Sequence, residues 1–167
     1  MSYKDIIEFL RREFIFDISK LNPFSASIAS KVFTAYPEWK KYARLKKAGE
    51  GGSDLFIDVP APQTADTRRG LIIYAHNKEI TVSFDCYHVS FDRWEIDESG
   101  FEQKAALPFV KSILSENIAV VSWWNDKKFC QSCQVIAGEK TKPRFAMDYD
   151  RVRVRSWHGH LNKDRIV

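Results

Sequence analysis

The residues with the most chemical potential lie in 84–92, which read FDCYHVSFD and hold two carboxylates, a thiol, a phenol and an imidazole. Such groups can ligate a metal or exchange protons. The alternation up to this point predicts a strand, with Cys86 and His88 on one face and Asp85 and Tyr87 on the other. A metal needs three or four converging ligands, and one strand face offers two at most. The pattern therefore favours a strand that ends in a binding rim, with no metal site and no catalytic residue.

A second candidate is the CxxC pair formed by Cys130 and Cys133. A redox pair is expected at a helix N-terminus, whereas this pair lies in a predicted hairpin strand. A zinc site needs a second pair of ligands, and His158 and His160 have a compatible spacing on a strand. Sequence order does not bring the two pairs together. Whether the two cysteines bind metal or are inert stays open, and no cofactor is expected.

A third candidate is the alternating run of Arg151, Arg153 and Arg155, which project from one face of a predicted strand. Such a row could bind phosphates or a partner rich in carboxylates. The alternative is a solvated outer face whose arginines pair with acids of a neighbouring strand, and Asp85 is one such acid. We favour the pairing interpretation. The sequence contains no GxSxG, P-loop, GxGxxG or HExxH motif.

The charge distribution is uneven although the net charge is only +4. Residues 79–102 hold seven acidic side chains and one basic one, while residues 1–48 hold ten basic and five acidic ones. Charged patches of this kind steer partners and set association rates. Trp94 lies in the acidic segment beside Arg93, and exposed tryptophans next to charges are typical of binding hot spots. The other interpretation of the segment is a solvated loop rim.

The composition indicates a packed protein of 167 residues, most simply one domain over 1–167. No apolar run approaches the roughly 20 residues that cross a bilayer, so no membrane is expected as a partner. The N-terminal pattern is not that of a secretory signal. Three cysteines make an odd number without a disulfide framework, which favours a cytoplasmic location.

The periodicity predicts an α+β fold, with a mostly antiparallel sheet, N-terminal helices and one helix inserted between strand pairs. Residues 1–48 form the helical N-terminal part and residues 54–160 the part that contains the sheet. Three helices are predicted in the first part, the first over about 3–16 and the basic third one after Pro37. In the inserted helix over 100–116, Pro108 either kinks the helix or delays its start to about residue 107. The predicted strands are 55–59, 70–75, 80–88, 118–124, 129–137 and 151–158.

The stretches ITVSFDCYHVSFD, VVSWWND and RVRVRSWHG resemble a pattern found in small bacterial immunity proteins of polymorphic-toxin and contact-dependent growth inhibition systems. The resemblance covers roughly residues 70–160, and the N-terminal helices add nothing to it. It implies a cytosolic protein that binds and neutralises a toxin domain and has no enzymatic activity of its own. The isoelectric point of about 8.9 is unusual for an inhibitor of a basic nuclease. Either the local acidic patch suffices, or the toxin is not a basic nuclease.

The leading hypothesis is therefore an immunity protein that blocks the active site of a cognate toxin C-terminal domain. The residues expected at or near the interface are Asp85, Tyr87, His88, Asp92, Trp94, Asp97 and Glu98. One rival hypothesis is a small hydrolase that uses His88 with Asp85 or Asp92. The other is a nucleic-acid-binding protein that uses Arg151, Arg153, Arg155 and the basic third helix, although nucleic acid is not the expected partner.

Overall fold

A computed structural model of the chain describes residues 16–47, 51–96 and 105–167. Its nine strands are β1 Ala43–Lys46, β2 Asp54–Val59, β3 Leu71–His76, β4 Glu79–Phe84, β5 Tyr87–Phe91, β6 Ile118–Asn125, β7 Lys128–Ile136, β8 Arg151–Arg155 and β9 Lys163–Ile166. They form two antiparallel sheets, one in the order β1-β2-β3-β4-β5 and one in the order β7-β6-β8-β9. With its helices, this arrangement confirms the predicted α+β class.

The described helices are α1, Pro23–Ala35, and α2, Ala106–Leu114, with short 3-10 helices at Ile18–Lys20, Pro37–Tyr42 and Gln63–Ala65. Helix α1 begins where the sequence indicates, because Asn22 Oδ1 accepts a hydrogen bond from the Ser25 N–H at 2.9 Å. Helix α2 lies between strand groups as predicted, and its late start places Pro108 in the first turn. Neither helix is long and apolar enough to cross a membrane. The predicted helix over about 3–16 falls almost wholly outside the described residues.

The predicted basic third helix begins after Tyr36 as expected, but its continuation beyond Tyr42 is wrong. Pro37–Tyr42 is a 3-10 helix with no side-chain cap, and Ala43–Lys46 is the edge strand β1. In β1, Ala43 lies opposite Ile57 of β2, so pairing with the sheet satisfies backbone groups that a short helix would leave exposed. Tertiary pairing has overridden local helix propensity. Residues 1–48 are therefore not purely helical.

The predicted single strand over 80–88 is also wrong, because these residues form the end of one strand, a turn and the start of a second strand of a hairpin. Strand β4 ends at Phe84, strand β5 begins at Tyr87, and these two residues face each other across the turn. Asp85 turns the chain with a φ of 51°, a left-handed conformation that aspartate tolerates better than most residues. The final predicted strand is shorter than expected, and β9, which pairs with β8, was not predicted.

Contact density divides the chain into two compact units, and the predicted single domain stays a prediction. The first unit comprises Met1–Asp58 and Ile73–Lys78, and the second comprises Val59–Ile72 and Glu79–Val167. In the first unit, helix α1 packs on one sheet face, where the Ser25 hydroxyl donates to the Ala75 carbonyl at 2.8 Å. In the second unit, the ring of Trp157 meets that of Phe84 at a centroid distance of 5.8 Å.

Candidate functional site

Asp85 lies at the tip of the β4–β5 hairpin and is only 4% exposed. Its Oδ1 accepts a hydrogen bond from the Arg68 N–H at 2.7 Å, and its own N–H donates to the Arg69 carbonyl at 3.4 Å. These bonds attach the hairpin tip to the loop before β3. The expectation that Asp85 lies on a binding surface is therefore wrong, because its left-handed turn directs it into the interior.

Cys86 follows Asp85 in the turn and is not a core residue of a strand. Its carbonyl accepts a hydrogen bond from the Ser132 hydroxyl at 2.9 Å, which holds the hairpin tip against β7. Burial and the Asp85 carboxylate raise the pKa of the Cys86 thiol to about 11, against a smaller opposing effect of Arg68. A thiol with this pKa is not a nucleophile at neutral pH.

The turn exchanges the faces on which the residues of β5 lie. Tyr87 is half-buried beside the Phe109 ring at a centroid distance of 6.4 Å, and burial, with a contribution from Cys133, raises the pKa of its phenol. His88 points the other way, is exposed and lies opposite Ser83 of β4. A single continuous strand would have placed Tyr87 outward and His88 inward, so the sequence interpretation of this face is corrected.

Asp92 and Trp94 follow β5 but differ in exposure. The Asp92 side chain is 71% exposed and lies 3.5 Å from Arg93 Nε, whereas Trp94 is 1% exposed. Trp94 is thus a core residue and does not offer an exposed hot spot, which corrects its expected role. Asp97 and Glu98 fall outside the described residues, so their expected place at an interface stays a prediction. Of the predicted set, the structure leaves His88 and Asp92 exposed.

The hydrolase hypothesis required His88 to act with Asp85 or Asp92. Among the described residues, neither carboxylate is hydrogen-bonded to the imidazole: Asp85 bonds to Arg68, and Asp92 pairs with Arg93. The hydrolase hypothesis therefore gains no support from these two carboxylates and stays a prediction.

The three arginines of β8 form a graded ion-pair network with acids that the sequence did not indicate. Exposure of the side chain falls from 47% for Arg151 to 15% for Arg153 and 2% for Arg155. Asp164 lies on the neighbouring strand β9, so the favoured interpretation, pairing with an acid of a neighbouring strand, is confirmed. The partners among the described residues are Asp66 and Asp164, so the expectation that Asp85 is such an acid is wrong. Burial of Asp164 raises the pKa of its carboxyl, but the hydrogen bond from Arg155 and the charges of the three arginines together outweigh it and lower the pKa.

A carboxylate that sequence reasoning missed lies just after helix α2. Glu116 takes a left-handed conformation, φ 57°, and its side chain is 11% exposed. Oε1 accepts hydrogen bonds from the Ser156 hydroxyl at 2.5 Å and from the His158 N–H at 2.9 Å, and Oε2 lies 2.6 Å from His160 Nδ1. No signal in the sequence connects Glu116 with a loop some forty positions away. From the sequence, His158 and His160 of that loop were considered only as possible zinc ligands.

The Glu116 cluster resembles a Ser–His–acid set in composition but not in geometry. In a nucleophilic triad the imidazole lies between the hydroxyl and the carboxylate, whereas here the carboxylate of Glu116 lies between Ser156 and His160. Ser156 is fully buried, so its hydroxyl is not accessible to a substrate. The cluster fixes the loop after β8, and Gly159 at φ 85° allows this loop to approach the Thr64 carbonyl closely.

The two cysteines of the CxxC pair are both free thiols on β7. The register shift between β6 and β7 leaves Cys130 in a β-bulge, while Cys133 faces Val121. Cys133 Sγ lies 3.7 Å from Thr141 Oγ1. In the part of the chain that the structure describes, no group of three or more His, Cys, Asp or Glu residues is placed to hold a metal ion.

Comparisons with protein-family models, with curated proteins and with solved structures give no match to this chain. Arguments about function therefore depend on the geometry of its own residues and on the sequence pattern.

Proposed function

We propose that this chain is an immunity protein, which binds a cognate toxin domain in the cytoplasm and covers the active site of that domain. The observation that carries the proposal is the exposed face of a braced hairpin. Strand β5 lies at the edge of its sheet and presents His88 and Ser90 to solvent, with Asp92 directly after it. A surface that is rigid before binding loses little conformational entropy in the complex.

The bracing involves three separate chain segments of the second unit. The hairpin tip is bonded through Asp85 to the loop residues Arg68 and Arg69, and through the Cys86 carbonyl to Ser132 of β7. Meanwhile several polar groups that could do chemistry are engaged in structural bonds, as Arg155 and Ser156 illustrate. A surface that is supported in this way is what a binding protein needs.

The charge of this surface suggests the chemistry of the partner. We name the exposed residues His88, Asp92 and Glu95 the acidic rim. Between residues 79 and 96 three acidic side chains are exposed, Glu79, Asp92 and Glu95, against one basic residue, Arg93, and Asp97 and Glu98 continue the run in the sequence. Complementary charge accelerates encounter and excludes wrong partners, so a basic surface on the toxin domain fits this rim.

The experiment is a binding and protection assay with the toxin domain that is encoded beside this chain. Cells that produce the toxin domain should survive when the wild-type chain is co-expressed, and the purified pair should form a stable complex. The variant Asp92→Lys with Glu95→Lys should weaken binding at least tenfold, because rim charges act through complementarity. The variant Glu139→Lys with Asp148→Lys makes the same change of charge at exposed positions elsewhere and should bind as the wild type does.

Two outcomes would count against the proposal in different ways. Absence of both complex and protection with the wild-type chain would refute the immunity function. A complex that both double variants weaken equally would retain the function and refute the acidic rim as the contact surface.

A further inference from the structure

The basic segment that was predicted as a helix is strand β1, and this changes where its cations lie. Arg44 and Lys46 are two residues apart in a strand, so they lie on the same sheet face. The register with β2 places Arg44 opposite Phe56 and Lys46 opposite Asp54. The strand therefore carries two cations to a face that bears aromatic side chains.

Two rings from neighbouring segments of the first unit meet on this face. The centroids of Phe56 and Tyr74 are 6.0 Å apart. Lys46 Nζ lies 4.4 Å from the centroid of Tyr74 and 5.5 Å from that of Phe56, and Arg44 Cζ lies 6.0 Å from the Phe56 centroid. We name Arg44, Lys46, Phe56 and Tyr74 the aromatic face.

Helix α1 contacts strand β3, where the Ser25 hydroxyl donates to the Ala75 carbonyl at 2.8 Å, and strand β2 has one side that is buried. Alternation places Leu55 and Ile57 on that side, and both are fully buried. Phe56, between them in sequence, is only half-buried. The aromatic face is thus on the less buried side of strand β2.

The position of Tyr74 is fixed by hydrogen bonds that do not use the face of its ring. Its hydroxyl donates to Asp54 Oδ2 at 3.0 Å, and Asp54 Oδ1 accepts from Asn22 Nδ2 at 2.9 Å. His76 packs against the ring at a centroid distance of 4.3 Å with planes 84° apart. Rings that are held in place in this way are preorganised for stacking.

The charge of the first unit favours an anionic partner. Its described residues carry eight basic and four acidic side chains, a net of +4. One of those acids, Asp54, is buried and hydrogen-bonded to Asn22 and Tyr74, so it contributes little to the surface. Among the described residues, Lys46 has no carboxylate partner, and the pair of Arg44 with Asp58 is exposed at 3.6 Å.

We propose that the aromatic face binds single-stranded nucleic acid, with bases stacked on Phe56 and Tyr74 and phosphates paired with Arg44 and Lys46. Aromatic side chains on neighbouring strands, flanked by cations, suit unpaired bases because every base has a π-face. The Lys46 side chain is exposed, and an ammonium at a solvent-accessible site is held only weakly over a ring, so a base can take its place. The released Lys46 ammonium then pairs with a phosphate. In a duplex the base faces are already stacked, so a duplex uses only the cations.

The test is fluorescence anisotropy of the purified chain with a labelled oligouridine of about twelve nucleotides, a length within the range that such surfaces occupy. Binding to the oligouridine should be at least tenfold tighter than to a duplex of the same length. It should weaken strongly between about 50 and 200 mM salt, because phosphate contacts release counterions. Absence of binding at the lower salt concentration would overturn the proposal.

Three variants separate stacking from charge. Tyr74→Leu removes a ring and should weaken binding about tenfold, since a base loses its stacking partner. Tyr74→Phe retains the ring but loses the hydroxyl that donates to Asp54 and holds the ring in place, so it should weaken binding clearly less than Tyr74→Leu does. Lys46→Glu changes an exposed side chain at the sheet edge and should also weaken binding. If circular dichroism shows that Tyr74→Leu is unfolded, Lys46→Glu is the variant that tests the proposal.

The matched control is Lys127→Glu with Lys128→Glu, which reverses two exposed charges in the second unit and should bind as the wild type does. Equal weakening by this control and by Lys46→Glu would overturn the assignment of the face. Displacement of the oligouridine by polyglutamate at equal charge concentration would overturn it as well, because it would indicate a site for acidic polypeptides that does not depend on stacking.

Discussion

The guanidinium of Arg155 is 2% exposed and is bound to Asp66, a residue 89 positions earlier, at an Nη2–Oδ2 distance of 2.7 Å. The same nitrogen lies 2.9 Å from Asp164 Oδ2, and Nε donates to the Asp66 carbonyl at 2.9 Å. One side chain thus joins strand β8, the loop before β3 and strand β9. Because a buried cation without partners is very costly, this network defines which segments must meet for the second unit to fold.

We expect Arg155→Met to lower the free energy of unfolding by about 3 kcal/mol, because it removes a donor from the Asp66 and Lys163 carbonyls and from the Asp66 and Asp164 carboxylates. Arg151→Met is the matched control. That side chain is 47% exposed and pairs with Asp164 at 3.4 Å, so its loss should cost less than about 1 kcal/mol. Urea denaturation followed by tryptophan fluorescence measures both. Equal losses for the two variants would contradict the graded burial of the network.

Glu116 should make stability depend on pH in the acidic range. Burial raises the pKa of its carboxyl, but hydrogen bonds from Ser156, His160 and the His158 N–H outweigh that effect and hold the pKa at about 2, below its usual 4.5. A group with a lowered folded pKa contributes stability that is complete above the unfolded pKa. This contribution is therefore lost as the pH falls from about 4.5 to about 2, by about 1–3 kcal/mol.

The comparison that isolates this effect is Glu116→Gln, which removes the charge and should lose most of the pH dependence in that window. It should also be less stable than the wild type at pH 7. Glu139→Gln, at an exposed position, should keep the profile of the wild type. If the unfolding free energies of wild type and Glu116→Gln stay parallel from pH 7 to pH 2.5, the folded pKa of Glu116 is not depressed.

The fold class and most strands follow from local patterns in the sequence. The strands of the β6–β7 hairpin could be placed because IAVVSWW is a continuous apolar run and the turn at Asp126 and Lys127 takes left-handed conformations. Helix α1 could be placed because Asn22-Pro23 combines an N-cap with a proline at the first position. Patterns fail where tertiary pairing decides, as in β1, whose one arginine and one lysine have no strand preference.

The candidate site could be predicted only in part. Side chains alternate between the two faces of a strand, so an unrecognised turn reverses the predicted face of every residue after it. The alternation through Phe84 was correct, but Asp85 and Cys86 form a turn and do not continue the strand. Tyr87 and His88 therefore exchange sides. The partners of Arg155 could not be found because ion pairs between distant segments leave no periodic signal. The same holds for Glu116 and Ser156, which are 40 positions apart.

The two carboxylates of β2 should contribute very differently to stability. Asp54 is 7% exposed and accepts hydrogen bonds from Asn22 and Tyr74, whereas the Asp58 side chain is 37% exposed and lies 3.6 Å from Arg44. We expect Asp54→Ala to cost about 2–3 kcal/mol, because two donors lose their acceptor. Asp58→Ala should cost less than about 0.5 kcal/mol, as exposed pairs do. Thermal and urea unfolding of both variants measure the difference, and comparable losses would refute the role of Asp54.

The Cys86 thiol should be slow to react in the folded protein. With a pKa of about 11, roughly one molecule in a thousand carries the thiolate at pH 8, and only the thiolate attacks a disulfide reagent. The variant Cys130→Ser with Cys133→Ser leaves Cys86 as the single thiol. We expect its reaction with Ellman's reagent to be at least tenfold slower than in urea and to accelerate with pH without a plateau up to pH 10.

In that background Asp85→Asn retains the oxygen that accepts from Arg68 but removes the negative charge that helps to raise the pKa of the Cys86 thiol. Asp85→Asn should therefore accelerate the reaction. A rate plateau near pH 9 in the double-serine variant that retains Asp85 would show that the turn does not raise the pKa of the Cys86 thiol.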